Sequence, residues 1–287
     1  MTYAQVYAGV VQQLEKAGCD SPAFDAVCLL EDIGGLPRGG FPRGDERPMP
    51  PDKEAAVRGA ARQRAQGRPL QYILGEWEFL TLRLRVGEGV LIPRPDTELL
   101  CEAAAERLAR VPGEPPHVLD LCAGTGCVGL GVCSLFPGAQ VTAVELSEQA
   151  FAYLQENIRR YPAYAVRPVR ADVLRDAARF DGPYQAILSN PPYIPSADLP
   201  TLMREVQHEP RMALDGGEGE GVAFYRAIAR DWTGKLCPGG FCAVEVGIGQ
   251  AARVAALLEE AGLCSLEILR DMGGIDRVVV GWKPPEK

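Results

Sequence analysis

From the start of the chain, apolar residues Tyr3, Val6, Val10, Val11 and Leu14 recur at three- and four-residue intervals, which predicts a helix burying one stripe. Cys19-Asp20-Ser21 opens a second helix carrying Ala26, Leu29, Leu30 and Ile33, and Lys53 to Gln66 predicts a third. Between them, Gly34 to Pro51 is dense in Gly, Pro and charge and predicts a long connection. At Trp77 the period changes. Apolar and polar residues alternate to Val86 around Thr81, as in a hairpin. Asp96-Thr97-Glu98 is a helix start, with Leu99 to Arg110 continuing it.

From His117 strand and helix patterns alternate. Strands are expected at His117 to Leu121, Gln140 to Val144, Ala165 to Val169, Tyr184 to Ser189 and Phe241 to Val246. Helices are expected at Val128 to Leu135, Glu148 to Tyr161, Ala223 to Leu236 and Gln250 to Ala261. Alternation of this kind predicts an α/β fold, a mostly parallel sheet with helices on both faces. Ser265 to Leu269 and Arg277 to Trp282 are joined too closely for a parallel crossover, so they should pair antiparallel. The division expected is a helical domain over 1–75, a hairpin linker over 76–90 and the sheet domain over 91–287.

Composition narrows the function. The chain has 287 residues, 47% of them apolar and 24% charged, enough for one large core and a small companion. Its net charge of −8 repels phosphates, so a nucleic-acid substrate would need a local basic patch. Arg58, Arg62 and Arg64 on the third helix form the one positive segment, which reads first as solvated surface. Nine cysteines without paired metal spacing, beside two histidines, make a zinc site improbable and suit reduced thiols in a cytoplasmic protein. Neither a signal sequence nor a membrane span is expected. No metal, no membrane contact and a monomeric state complete the picture.

The chemistry concentrates at strand ends. Asp120-Leu-Cys122-Ala123-Gly124-Thr125-Gly126 leaves a strand and enters a helix, with glycines that admit close approach and a helix N-terminus behind them. Glu145 ends the next strand about 20 residues on, where a carboxylate can accept both hydroxyls of a ribose. A nucleoside cofactor follows. Gly124-x-Gly126-x-x-Gly129 also fits a dinucleotide fingerprint, a weak match by itself. S-adenosylmethionine is favoured by three features: Asp120 before the glycines, where it can face a cation; Asp172-Val173 after the third strand; and Asn190-Pro191-Pro192-Tyr193 after the fourth. Two consecutive prolines force a stiff exit from the sheet. That exit holds the Asn190 amide and the Pro191 carbonyl as paired acceptors for a planar NH2 group, with Tyr193 beside them.

Longer phrases make the assignment specific. Arg68-Pro-Leu-Gln-Tyr-Ile-Leu-Gly75, Val90-Leu-Ile-Pro-Arg-Pro-Asp-Thr-Glu98, Asn190-Pro-Pro-Tyr193, Glu209-Pro-Arg-Met-Ala-Leu-Asp-Gly-Gly217 and Asp271-Met-Gly-Gly-Ile-Asp-Arg277 together resemble the protein-glutamine N5-methyltransferases that modify peptide chain release factors. The resemblance spans nearly the whole chain. It implies a class I S-adenosylmethionine-dependent methyltransferase sheet with an N-terminal helical domain. It also implies a release factor as protein substrate, methylated on the glutamine of its Gly-Gly-Gln loop, which modulates translation termination. One position departs from the family pattern: Cys122 stands where a glycine is usual, which implies altered packing under the methionine moiety.

The site expected is therefore Asn190, Pro191 and Tyr193 for catalysis, and Asn190, Pro191, Pro192 and Tyr193 for substrate. Asp120, Cys122, Ala123, Gly124, Thr125, Gly126, Glu145, Asp172, Val173 and Asn190 are expected for the cofactor. Arg94 and Glu98 join the cofactor edge by resemblance, and Glu209-Pro210 could frame the entry. Gly216 to Gly221 reads as a loop after the active-site turn. In-line transfer of a sulfonium methyl to an amide nitrogen is the inferred reaction, with the proton lost to water. A ribosomal-protein glutamine methyltransferase would carry the same motif. An adenine-N6 DNA methyltransferase and a non-catalytic release-factor adaptor are more distant alternatives.

Overall fold

The computed structural model describes residues 1–111 and 115–286. The chain divides into two compact units: Met1–Glu76 with Met203–His208, and Trp77–Leu202 with Glu209–Lys287.

In the first unit, helices α1 (Tyr3–Lys16), α2 (Pro22–Asp32), α3 (Pro51–Ala65) and α4 (Leu70–Leu74) bury Val6, Val10, Leu14, Leu29, Leu30 and Val57 against one another. The Thr2 hydroxyl caps α1 by accepting from the Gln5 N–H, and the Gln5 side chain returns the bond to the Thr2 N–H. The arginines of α3 do not form one positive face. Arg58 pairs with Glu54 one turn away, while Arg64 is buried and binds both Asp25 and Glu205. A buried guanidinium needs such partners, because leaving it unpaired would cost several kcal/mol, about 3–5.

In the second unit, β1 (Glu76–Phe79) and β2 (Leu82–Arg85) form a two-stranded sheet. Phe79, Leu82 and Leu84 are buried in the core of this unit, so the hairpin is packed into the sheet domain rather than strung between domains. A 3-10 turn at Pro95–Thr97 leads into α5 (Glu98–Leu108). There follow β3 (His117–Leu121), α6 (Cys127–Leu135), β4 (Gln140–Glu145), α7 (Glu148–Arg160), β5 (Ala165–Arg170) and β6 (Tyr184–Ser189). The short strands β7 (Ile194–Pro195) and β8 (Asp215–Gly217) pair with each other around α8 (Arg211–Leu214). Then come α9 (Ala223–Ala227), β9 (Leu236–Glu245), α10 (Ala251–Glu260), β10 (Cys264–Arg270) and β11 (Asp276–Trp282).

The main sheet has seven strands in the order β10-β11-β9-β6-β3-β4-β5, and only β11 runs against its neighbours. The antiparallel ending expected from the short β10–β11 connection is present. Pro168 lies in β5, which is tolerable because β5 is an edge strand. The helix expected over Ala223 to Leu236 is not uniform: α9 widens into a π turn at Ile228–Trp232 and tightens to 3-10 at Thr233–Lys235. Within that turn Trp232 is fully buried, and its Nε1–H donates to the Val173 carbonyl at 2.9 Å.

Strand periodicity then decides which face each side chain takes. Val118, Ala143, Leu188 and Ala243 pack against α5, α6 and α7, while Leu119, Leu121, Val144, Ile187 and Val244 pack against α9 and α10. Asp120, Glu145, Asn190 and Glu245 share the parity of the first set, at or just past the carboxyl ends of β3, β4, β6 and β9. Register confirms their adjacency, with Leu121 opposite both Val144 and Ser189, and Ser189 opposite Val244.

Candidate active site

The ends of β3, β4 and β6 border a cavity of about 450 Å³, in the range of small-molecule sites. Its floor is the glycine loop. Gly126 adopts φ 81°, and a Cβ there would meet Leu154 Cδ1 at 2.6 Å, so glycine is required on both grounds. Asn157, fully buried on α7, supports the loop by donating from Nδ2 to the Thr125 carbonyl at 2.9 Å and accepting at Oδ1 from the Arg85 N–H at 2.7 Å. Cys122 also sits at positive φ, 62°, a conformation that glycine takes more easily than any residue with a Cβ, in keeping with the glycine that the resemblance implied there.

Cys122, Ala123, Gly124, Thr125, Glu145, Asp172, Val173, Asn190 and Pro192 line the cavity. Asp120, Gly126, Pro191 and Tyr193 do not. Asp120 is sealed beneath the loop, where Oδ2 accepts the Gly129 N–H at 2.9 Å and Oδ1 is buried without a partner. Burial pushes its pKa up to about 7, and the charge of Glu145 adds to the rise. Glu145 holds the loop from the other side: its Oε2 accepts from Gly124 N–H at 2.8 Å and its Oε1 from Ser147 N–H at 2.7 Å. Each carboxylate oxygen retains a second lone pair, so a vicinal diol can still donate to both. Burial raises this pKa as well.

Tyr193 is turned into the α9–α10 side of the core, and burial pushes its phenol up to about 12. Its backbone is clamped. Gln250 Nε2 donates to the Tyr193 and Glu220 carbonyls at 2.9 and 2.7 Å, and Gly216 lies so close that a Cβ would meet Tyr193 Cα at 2.7 Å. The glycine-rich segment is thereby tied to the turn, with β8 paired to β7.

Beside Arg94, expected at the cofactor edge, the lining includes residues given no site role from sequence. The strap Gly89 to Arg94 and Thr97 border one side, while half-exposed Leu146 and Leu174 offer apolar walls beside Glu145 and Asp172. The strap is latched by Glu209, a buried carboxylate that accepts from Ile92 N–H at 2.9 Å and pairs with Arg94. Glu98 is not at the cavity; its Oε1 accepts from the Leu80 N–H. Asn190 donates from Nδ2 to Thr97 Oγ1 at 3.1 Å. Thr97 is fully buried, as is Glu245, and the Thr97 side chain is the neighbour that most favours the charged form of the Glu245 carboxyl.

The charges at this cavity select among cofactors. Among the described lining residues Arg94 is the only cation, and it is engaged by Glu209, whereas Glu145, Asp172, Asp215 and Glu218 are acidic. A pyrophosphate would be repelled; a cationic nucleoside would be attracted. Apolar walls, a diol acceptor and a cation-favouring floor therefore fit a positively charged nucleoside cofactor.

Comparison with known proteins agrees with this fold and chemistry. A family model described as the PrmC N-terminal domain matches residues 5–75, and one described as Conserved hypothetical protein 95 matches residues 71–217. The release factor glutamine methyltransferase of Geobacter sulfurreducens is 40% identical over 93% of this chain and 92% of its own length. That of Moorella thermoacetica is 35% identical over the full length of both. In fold the chain is similar to the Thermus thermophilus 16S rRNA N2 G1207 methyltransferase, solved with AdoMet and guanosine. That match has 24% identity and a TM-score of 0.50, covering 72% of this chain and 49% of that one. No described helix is long and apolar enough to cross a membrane. With relatives this similar along nearly its entire length, the chain belongs to the release factor glutamine methyltransferase family.

Proposed function

We propose that this protein transfers a methyl group from S-adenosylmethionine to the side-chain amide nitrogen of a glutamine in a peptide chain release factor. The observation that carries the reading is Asn190: its Nδ2 is taken by Thr97, so Oδ1 is the end left for a ligand in the cavity. An acceptor there suits an incoming NH2 group and would repel a carbonyl or phosphate.

Glu145 would hold the ribose hydroxyls, Leu146 and Leu174 would flank the base, and the glycine loop with Asp120 beneath it would carry the methionine part. Bound there, S-adenosylmethionine supplies a methyl group on a positively charged sulfur. A carboxamide nitrogen is a poor nucleophile because its lone pair is delocalised into the carbonyl. Asn190 Oδ1 would accept one of its N–H groups, and the Pro191 carbonyl, outside the cavity lining but next along the same rigid turn, is proposed for the other; together they would localise density on nitrogen and fix its direction. Such positioning supplies roughly 7–11 kcal/mol in favourable cases. The apolar walls exclude water, which strengthens these contacts. The turn offers no general base, so the surplus proton leaves to solvent after transfer. Action on release factors would place the protein in the cytoplasm.

Incubation with labelled S-adenosylmethionine and, separately, release factor, ribosomal protein and DNA tests this. Methyl on a release-factor glutamine is expected by mass spectrometry; methyl on adenine, or on no glutamine, would overturn it. Asn190→Ala should abolish transfer while calorimetry finds cofactor affinity largely kept.

A further inference from the structure

The two ends of the Asn190 amide are not equivalent, and only one serves the reaction. Oδ1 accepts and Nδ2 donates, and a half-turn about the last side-chain bond exchanges them at little intrinsic cost. Presented the wrong way, Nδ2 would oppose the N–H groups of the substrate. The fold must therefore impose a direction on this side chain.

Thr97 Oγ1 lies 3.1 Å from Nδ2. A hydroxyl can donate to Asn190 Oδ1 as readily as it accepts from Nδ2, so Thr97 alone sets nothing. The other polar group acting on Thr97 is Glu245, which ends the strand next to that of Asn190 and lies on the same face. An ionised carboxylate accepts only. The single Thr97 proton is then committed to Glu245, and its remaining lone pairs can meet only the Nδ2 end of Asn190.

We propose that Glu245 and Thr97 are positioning residues that set the direction of a hydrogen-bond chain running from Asn190 through Thr97 to Glu245, holding Asn190 Oδ1 toward the substrate nitrogen. This rests on Asn190 being the acceptor of the substrate amide. A second observation supports it. Glu245 is 1% exposed, and its Oε2 has no hydrogen-bond partner. A half-satisfied buried carboxylate is expensive, and packing alone would be better served by an apolar residue.

The groups facing Glu245 are Arg277 of β11, Arg94 and Asp96 around the turn before α5, Cys101 of α5, Cys127 of α6, Tyr193 after β6 and Tyr225 of α9. Burial outweighs the two arginines and pushes the carboxyl up to about 7. Protonated Glu245 can donate to Thr97, which then donates to Asn190 Oδ1 and turns the amide around. Turnover should accordingly fall as the pH drops below about 7.

The test uses the full-length protein with S-adenosylmethionine and release factor, measuring kcat, KM and cofactor Kd between about pH 5.5 and 9. Thr97→Val keeps shape and loses the hydroxyl. Its kcat should fall about 100-fold, comparable to losing one oriented hydrogen-bonding group in an active site, with cofactor Kd unchanged. Thr97→Ser should restore most of it. Glu245→Gln, which can accept or donate, should lower kcat at pH 8 and remove the loss of activity below about pH 7. Wild-type kcat in Thr97→Val, or an unchanged pH profile in Glu245→Gln, would overturn the proposal. Loss of cofactor binding in step with kcat, unrescued by serine, would overturn it too. If the unaltered protein places no methyl on glutamine, the proposed function fails instead, so the two failures are distinguishable.

Discussion

Asp120→Asn should change the pH dependence of folding by an amount the geometry fixes. Asp120 is completely buried, has one hydrogen bond from Gly129 N–H, and leaves Oδ1 without a partner. Its pKa rises from an ordinary 3.8 to about 7, chiefly by burial and further by the charge of Glu145. The folded state thus holds this proton more tightly than the unfolded chain. Its contribution is fully present below the unfolded pKa and is lost as pH climbs from about 4 through 7. Each pKa unit is worth about 1.36 kcal/mol, so ionisation costs the fold about 4 kcal/mol by pH 8.5. Asparagine can still accept from Gly129 and cannot ionise. At pH 5 it replaces a protonated acid with a group of nearly the same shape and hydrogen-bonding demand, but the unfolded acid is already ionised there, so the variant should lead by only about 1.6 kcal/mol. At pH 8.5 the variant should be the more stable by roughly 3–4 kcal/mol. Urea unfolding of both proteins without cofactor at the two pH values measures this. A stability difference that is the same at pH 5 and 8.5 would refute the buried, under-satisfied state of Asp120.

Two further substitutions probe the floor and the strap. At Cys122, with φ 62°, glycine should be more stable than alanine by about 1 kcal/mol in thermal unfolding, the reverse of their usual order, because a Cβ is strained there. Glu209→Ala strands the Ile92 N–H and the Arg94 guanidinium together; it should cost roughly 2–4 kcal/mol and weaken cofactor binding, and unchanged values of both would show that the strap needs no latch.

The sheet was legible because parallel strands buried on both faces read as apolar runs, and Val118 to Leu121, Val141 to Val144 and Ala186 to Leu188 do so plainly. Strand ends were legible too, since polar residues interrupt those runs at Asp120, Glu145 and Asn190. Three-dimensional competition for side chains left no such mark. Arg64 belongs to a charged stripe in sequence yet is drawn inward by Asp25 and Glu205, a partner from far along the chain. The π turn at Ile228–Trp232 follows no break in helical pattern. Tyr193 does not line the cavity: its side chain packs partly against the α9–α10 layer, while its phenol feels the charges of Glu245 and Arg277.

Glu245 shows where one-dimensional reading ends. It closes a strand in the same way as Glu145 does, with an apolar run before it. What separates them is depth and neighbour. Glu145 spends both oxygens on backbone N–H groups at the cavity surface, a role any strand-end carboxylate above a glycine loop can take. Glu245 lies beside Asn190 only because the sheet order places β9 next to β6, and meets Thr97 only because the turn before α5 covers that edge. Sequence can supply the acceptor, since asparagine before two prolines states it openly. The direction of that acceptor depends on a proton held between residues 97 and 245, and chain order contains no trace of that contact.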